Sequence, residues 1–126
     1  MPDAVQMNEM RVQENALLEY LPDALIPFAG ARYRQNTTIH LGAGAGLFWW
    51  EMVAPGREAR GERFAYERVE LNLAIRAVGK LVALERNRLE PQTRLLHSPA
   101  RLGACRYFAS FYILCVGSAA AQWSAM

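Results

Sequence analysis

Stacked β-sheets in a single domain spanning residues 1–126 are what this chain predicts. Segments with a two-residue hydrophobic period outnumber helical patterns, they follow one another closely, and glycine or proline interrupts the chain between them. Layered sheets are the simplest packing for such a series.

The elements follow in order. Met10 and Val12 alternate with Arg11 and Gln13, then Ala16, Leu18 and Tyr20 alternate with Asn15 and Glu19, which predicts two short strands or one bent strand. A helix over residues 7–21 is the rival. Pro22-Asp23 closes this segment, and residues 27–30 read as a loop. From Arg32 to Leu41, Tyr33, Thr37, Ile39 and Leu41 alternate with polar neighbours, the pattern of a half-buried strand.

Leu47, Phe48, Trp49 and Trp50 run together without alternation, which predicts a strand buried on both faces. Glycines at 42, 44 and 46 oppose helix there, and Pro55-Gly56 ends the strand. Val69, Leu71, Leu73 and Ile75 then face one side while Arg68, Glu70, Asn72 and Arg76 face the other. That is an extended strand with one buried face. Gly79-Lys80 reads as a turn, so residues 71–75 and 81–84 pair as a hairpin. The polar residues 85–99 predict a loop with one short helical turn, and residues 106–116 a final buried strand.

Composition excludes several classes. The chain is 52% hydrophobic and 21% charged with a net charge of +2, a globular balance. Between residues 57 and 70, Arg57, Arg60, Arg63 and Arg68 are matched by Glu58, Glu62, Glu67 and Glu70, so no basic stripe builds up for nucleic acid. Residues 107–126 carry no charge and are long enough to span a bilayer as a helix. Ser110, Gly117, Ser118, Gln122 and Ser124 dilute them, however, and the aromatic and β-branched run 108–116 favours a strand over a membrane helix.

Cys105 and Cys115 lie roughly 33 Å apart on an extended chain, beyond disulfide reach unless a bulge or turn intervenes, and read as reduced, buried thiols. Met1-Pro2-Asp3-Ala4 carries no secretory pattern. A cytoplasmic protein is the expectation.

Catalytic motifs are missing from the sequence. Leu47 stands where a third glycine would be needed after Gly42 and Gly44, and Leu81 follows Gly79-Lys80 where a phosphate loop needs serine or threonine. His40 and His97 are isolated from carboxylates at helical spacing. No enzyme is expected.

Two constellations remain. Arg57 and Glu62, each preceded by a glycine at Gly56 and Gly61, suggest a tight turn held by a charge-assisted pair, structural or partner-binding. Trp49 and Trp50 are a candidate contact surface for a partner. Because neighbours on a strand face opposite ways, at most one of them serves a given face, and core packing is the commoner fate.

The pattern Gly56-Arg57, three residues, Gly61-Glu62 resembles the central signature of the UreD (UreH) family of urease accessory proteins. The likeness extends upstream through YLPDALIPFAGARYRQNT and downstream through GKLVALERNRLEP. It covers the middle of such a protein, so the chain reads as a central portion, short at both ends.

The resemblance implies a β-helical two-layer fold. It also implies a non-catalytic maturation factor that works with a UreF-like protein and a UreG-like GTPase, docks on apo-urease and helps deliver nickel as a scaffold and metallochaperone. The alternative is a truncated β-rich interaction module that has lost maturation activity.

No cofactor is expected to bind tightly, and any nickel passes transiently; His40, His97 and Cys105 are the weak candidates for touching it. Scattered oxygen and nitrogen ligands suit delivery. A site with a dissociation constant near ~1 μM and an on-rate near ~10⁷ M⁻¹s⁻¹ releases its ion in roughly 0.1 s. If flanking strands are missing, residues 108–116 form an exposed apolar edge that invites self-association or a partner strand.

Overall fold

A computed structural model describes residues 3–92 and 107–117. Seven strands form two mixed sheets. β1 (Ala4–Val12), β3 (Arg32–Leu41), β5 (Arg68–Ala77) and β6 (Lys80–Leu89) make one, in the order β1-β3-β5-β6. β2 (Leu17–Tyr20), β4 (Gly46–Val53) and β7 (Phe108–Cys115) make the other, in the order β2-β4-β7. The chain alternates between sheets from β1 to β5, so β1, β3 and β5 run parallel in one and β2 and β4 parallel in the other. β6 and β7 join antiparallel.

The all-β prediction holds, with a single short 3-10 turn at Glu58–Arg60 among the described residues. The first segment is two strands rather than a helix. They lie in different sheets, separated by a turn in which Asn15 takes a positive φ of 59°.

Three expectations are corrected. β4 is not buried on both faces: Leu47, Trp49 and Val53 are buried, whereas Phe48, Trp50 and Met52 are half-buried on its outer side. Its apolar outward residues simply hide the alternation.

Residues 85–89 are not loop but the second half of β6, which continues to Leu89, while residues 93–99 of the expected loop lie outside the described residues. The polar side chains of this half-strand alternate between the inner and outer faces, a period that hydrophobicity cannot reveal. The turn before it sits one residue earlier, at Val78 (φ 48°) and Gly79 (φ 79°), because Ala77 pairs with Lys80. The hairpin itself forms as expected and runs longer, with a bulge beside Ile75.

The last strand is half-exposed rather than buried, and its odd positions point outward, Cys115 among them. That thiol is exposed, contrary to expectation. Arg106, His97 and Cys105 lie outside the described residues.

The inner faces pack on each other through two apolar clusters. One contains Val12, Ile39, Leu41, Leu47, Trp49, Leu73 and Ile75; the other contains Ala31, Val53, Phe64, Tyr66, Val69, Leu71 and Leu89. Both draw residues from the two sheets.

A polar layer and a glycine-hinged corner

The clusters are separated because the strand registers bring polar residues to one level. Across the larger sheet, Gln6 pairs with Gln35, Gln35 with Leu71 and Leu71 with Asn87. One step along, Asn8 pairs with Thr37, Thr37 with Leu73 and Leu73 with Glu85. In the facing sheet Glu51 pairs with Ser110, and Trp49 with Tyr112. A polar layer therefore runs through the middle of the sandwich.

Hydrogen bonds knit this layer across the sheets. Tyr33 Oη lies 2.8 Å from Gln6 Oε1 and 2.7 Å from Gln35 Oε1. Gln35 Nε2 donates to Glu51 Oε1, joining β3 to β4. Glu85 Oε1 accepts from Asn87 Nδ2 (2.5 Å) and from Ser110 Oγ, while its Oε2 accepts from Tyr112 Oη. These last two bonds tie β6 to β7. Buried polar groups require such partners, since an unmet donor or acceptor costs about 1–3 kcal/mol.

The two carboxyls differ in their environments. Burial pushes Glu51 above the usual carboxylate range, Gln35 pulls against that, and the charge of Glu85 adds to the rise. Burial would raise Glu85 as well, but its hydrogen bonds from Ser110, Tyr112 and Asn87 outweigh it and hold that carboxyl below the ordinary value. Tyr112, partly desolvated and bonded to Glu85, is pushed up to about 12. A cleft of about 380 Å³, lined by Gln6, Tyr20, Asp23, Tyr33, Gln35 and Glu51 among others, opens beside this layer.

The glycine-hinged corner lies at the end of β4. Arg57 Nε donates to Glu62 Oε1 (2.9 Å) and Arg57 Nη2 to Glu62 Oε2 (2.6 Å), a bidentate fork. Glu62 Oε1 also accepts from the Ala29 amide (3.1 Å), and the Arg57 guanidinium lies 5.8 Å from the Phe28 ring centre. The corner thus fastens the 27–30 loop. The Arg57 bonds hold the Glu62 carboxyl below its usual range and raise the Arg57 guanidinium.

Gly61 takes φ 74°, and at Gly56 (φ 150°) a Cβ would meet Glu62 O at 2.7 Å. Glycine is needed at both. The pair is partly exposed, with the Arg57 side chain 41% and the Glu62 side chain 17% accessible, so it is a clamp on a loop and not a fully buried ion pair.

Of the remaining sequence candidates, Trp49 is a core residue, 1% exposed, packed 6.0 Å from Tyr112. Trp50 faces outward and donates its indole N–H to Pro22 O at 3.1 Å. His40 Nε2 lies 3.3 Å from Glu9 Oε1 on the outer face of the larger sheet, far in register from the Glu51 row. No group of three metal-ligating side chains occurs among the described residues. Sequence reasoning missed Glu51 and Glu85. The signal that could have found them is a carboxylate at an inward position: Glu51 follows Leu47 and Trp49 at a spacing of two.

Fold and site together define an all-β, two-sheet protein whose inner faces are divided by a carboxylate-bearing polar layer. Comparison with known proteins makes the assignment more specific. The model of the "UreD urease accessory protein" family matches residues 1–126. The chain is 48% identical over 123 residues to a urease accessory protein UreD of Herpetosiphon aurantiacus, covering 98% of this chain and 43% of that protein. It is 44% identical over 99 residues to that of Pseudomonas aeruginosa (79% and 35%), and 32% identical over 105 residues to that of Lysinibacillus sphaericus (83% and 39%). The chain belongs to the UreD urease accessory protein family. It spans less than half the length of these curated relatives.

Proposed function

We propose that this chain acts in urease maturation, as a scaffold that helps nickel reach apo-urease in company with a UreF-like protein and a UreG-like GTPase. One observation supports the reading beyond family membership: the polar layer offers two carboxylates and several neutral oxygens beside an open cleft, without, among the described residues, the tight ligand cluster that would trap an ion. Oxygen donors of this kind bind divalent cations weakly and exchange them quickly. Nickel is cargo here, and Glu51, with Asp23 at the cleft, supplies negative charge on its route. Nothing in this role requires covalent chemistry, so the protein serves as an accessory and not as an enzyme.

The test separates folding from delivery. The chain is co-expressed with UreF-like, UreG-like and urease subunits, and urease-bound nickel is measured together with co-purification of the UreF-like protein. Glu51→Gln and Asp23→Asn are expected to lower the nickel content while the complex still forms. Unchanged nickel content in the double variant would overturn the carboxylate route, and loss of co-purification by the wild-type chain would overturn the scaffold. A second reading, an interaction module without a part in nickel delivery, is favoured by the exposed outer residues Phe111 and Ile113 beside Trp50 and Phe48. It predicts normal complex formation and no dependence of nickel loading on this chain.

A further inference from the structure

The outer face of the larger sheet matches most of its arginines with carboxylates. Arg32 and Arg68 lie within ion-pair distance of Asp3, and Arg34 and Arg88 within that of Glu70. Arg76 and Arg86 are exposed on the same face and take no such partner among the described residues. All twelve aspartates and glutamates of the chain lie within those residues, so no other acidic side chain of this chain is left to supply one.

Strand register sets the two cations around one hollow. Asn72 pairs with Arg86, Ala74 with Thr38 and Leu84, and Arg76 with His40 and Leu81. Thr38, Asn72, Ala74, Leu84 and Arg86 are among the residues lining a depression of about 470 Å³. Arg86 stands at the level of Asn72, and Arg76 follows Ala74 at a spacing of two. Four residues of strand therefore separate the two cations, about 13 Å along β5. Asn72 Nδ2 donates one proton to Asn36 Oδ1 (2.8 Å), and the second proton of that amide remains for a ligand.

We infer that this hollow receives an acidic segment of a partner protein, lying extended along β5 with two carboxylates four residues apart and an apolar side chain midway between them. The spacing decides the form. Residues i, i+2 and i+4 of an extended chain point the same way, and the outer two are also about 13 Å apart. The outer carboxylates meet Arg76 and Arg86, whose planar guanidinium groups bind a carboxylate through two parallel bonds. The middle side chain settles on Ala74 and on Leu84, which is 56% exposed.

A nucleic acid or an anionic membrane fits this face less well. Glu70 lies one step beyond Asn72 on β5, and Glu9 stands at the level of Thr38, so a continuous polyanion runs against both. A short segment with two carboxylates avoids them. The surface lies on the opposite side of the sheet from Gln35 and the Glu51 cleft, so it is independent of the route drawn for nickel.

Titration of the isotope-labelled full chain, followed by nuclear magnetic resonance, tests the inference with three probes: the capped peptide Glu-Thr-Val-Thr-Glu, its counterpart Gln-Thr-Val-Thr-Gln, and inorganic phosphate. The acidic peptide is expected to shift the resonances of Asn72, Ala74 and Leu84, and the glutamine peptide to bind several-fold more weakly. Arg76→Gln and Arg86→Gln should each weaken the acidic peptide by up to about fivefold, the range of an exposed ion pair. Neither substitution should change Tm, because neither guanidinium is tied into the fold. Glu51→Gln, which interrupts the nickel route, should leave this binding untouched. Equal binding of the two peptides, indifference of the double arginine variant, or phosphate binding as tightly at the same resonances would overturn the proposal. If the double variant misfolds, the comparison of the two peptides on the unaltered chain decides.

Discussion

Replacing Glu85 with glutamine keeps the side-chain shape and removes the charge, and so tests whether that carboxylate ties the two sheets. Its Oε1 serves Asn87 and Ser110, and its Oε2 serves Tyr112. Glutamine retains one acceptor oxygen but turns an NH2 toward the other position, so at least one charge-assisted bond is lost. Such bonds contribute about 1.5–3 kcal/mol each. Glu85 is only half-buried, water competes for its partners, and the low end applies. The expected loss is about 1.5 kcal/mol, or roughly 5 °C in Tm for a domain of this size.

Thermal unfolding followed by circular dichroism measures it, and pH supplies the signature. A carboxyl held below its unfolded pKa stabilises the fold above that unfolded value, near ~4.3, and the contribution disappears as pH falls through the folded value. The gap between wild type and Glu85→Gln should be full at neutral pH and close in acid. Equal Tm values at neutral pH, or a gap that persists undiminished in acid, would refute the argument.

Glu51 has the opposite sign. Burial raises its pKa, so the folded state is favoured below the unfolded value and loses that advantage as pH rises through the folded one. Glu51→Gln should therefore raise Tm at neutral pH, with the gain vanishing in acid. Spectrophotometric titration should show Tyr66 and Tyr112 ionising only at about 12, with Tyr112→Phe removing one of those two steps. Gly56→Ala forces a Cβ against Glu62 O and should cost roughly 2 kcal/mol, read as a lower Tm. Val78 is a β-branched residue at positive φ on an exposed turn, and Val78→Asn should raise Tm by about 1 kcal/mol equivalent, roughly 4 °C.

The fold was legible wherever one strand face is apolar and the other polar. Arg32–Leu41 and Arg68–Ala77 show this plainly, and both occur at nearly the expected bounds. The clamp was legible for a different reason, because the glycines before Arg57 and Glu62 mark backbone that only glycine adopts. What escaped is the polar layer. Glu85 and Asn87 alternate with Arg86 and Arg88, so both faces of that half-strand are polar and the period carries no hydrophobic contrast. Phe48 and Trp50 produced the converse error, since their apolar side chains face outward. Alternation reports the difference between faces, and it fails when the two faces match.

That failure points to the physics of the site. A sandwich optimised for stability alone would place aliphatic residues where Gln35, Glu51 and Glu85 stand, because a half-satisfied polar network is inferior to an apolar core. Glu85 offsets its desolvation with three donors, whereas Glu51 receives one from Gln35 and suffers the repulsion of Glu85. Of the two carboxyls, Glu51 is the one whose ionised form the fold disfavours, and it is also the one that lines the cleft. A cation beside Glu51 would relieve both the desolvation and the repulsion, since an opposite charge favours the ionised form. Binding there would therefore be coupled to loss of a proton and would weaken as pH falls. The same substitution that stabilises the protein, Glu51→Gln, should thus abolish the pH dependence of nickel loading, and an increase in both stability and loading would contradict the coupling.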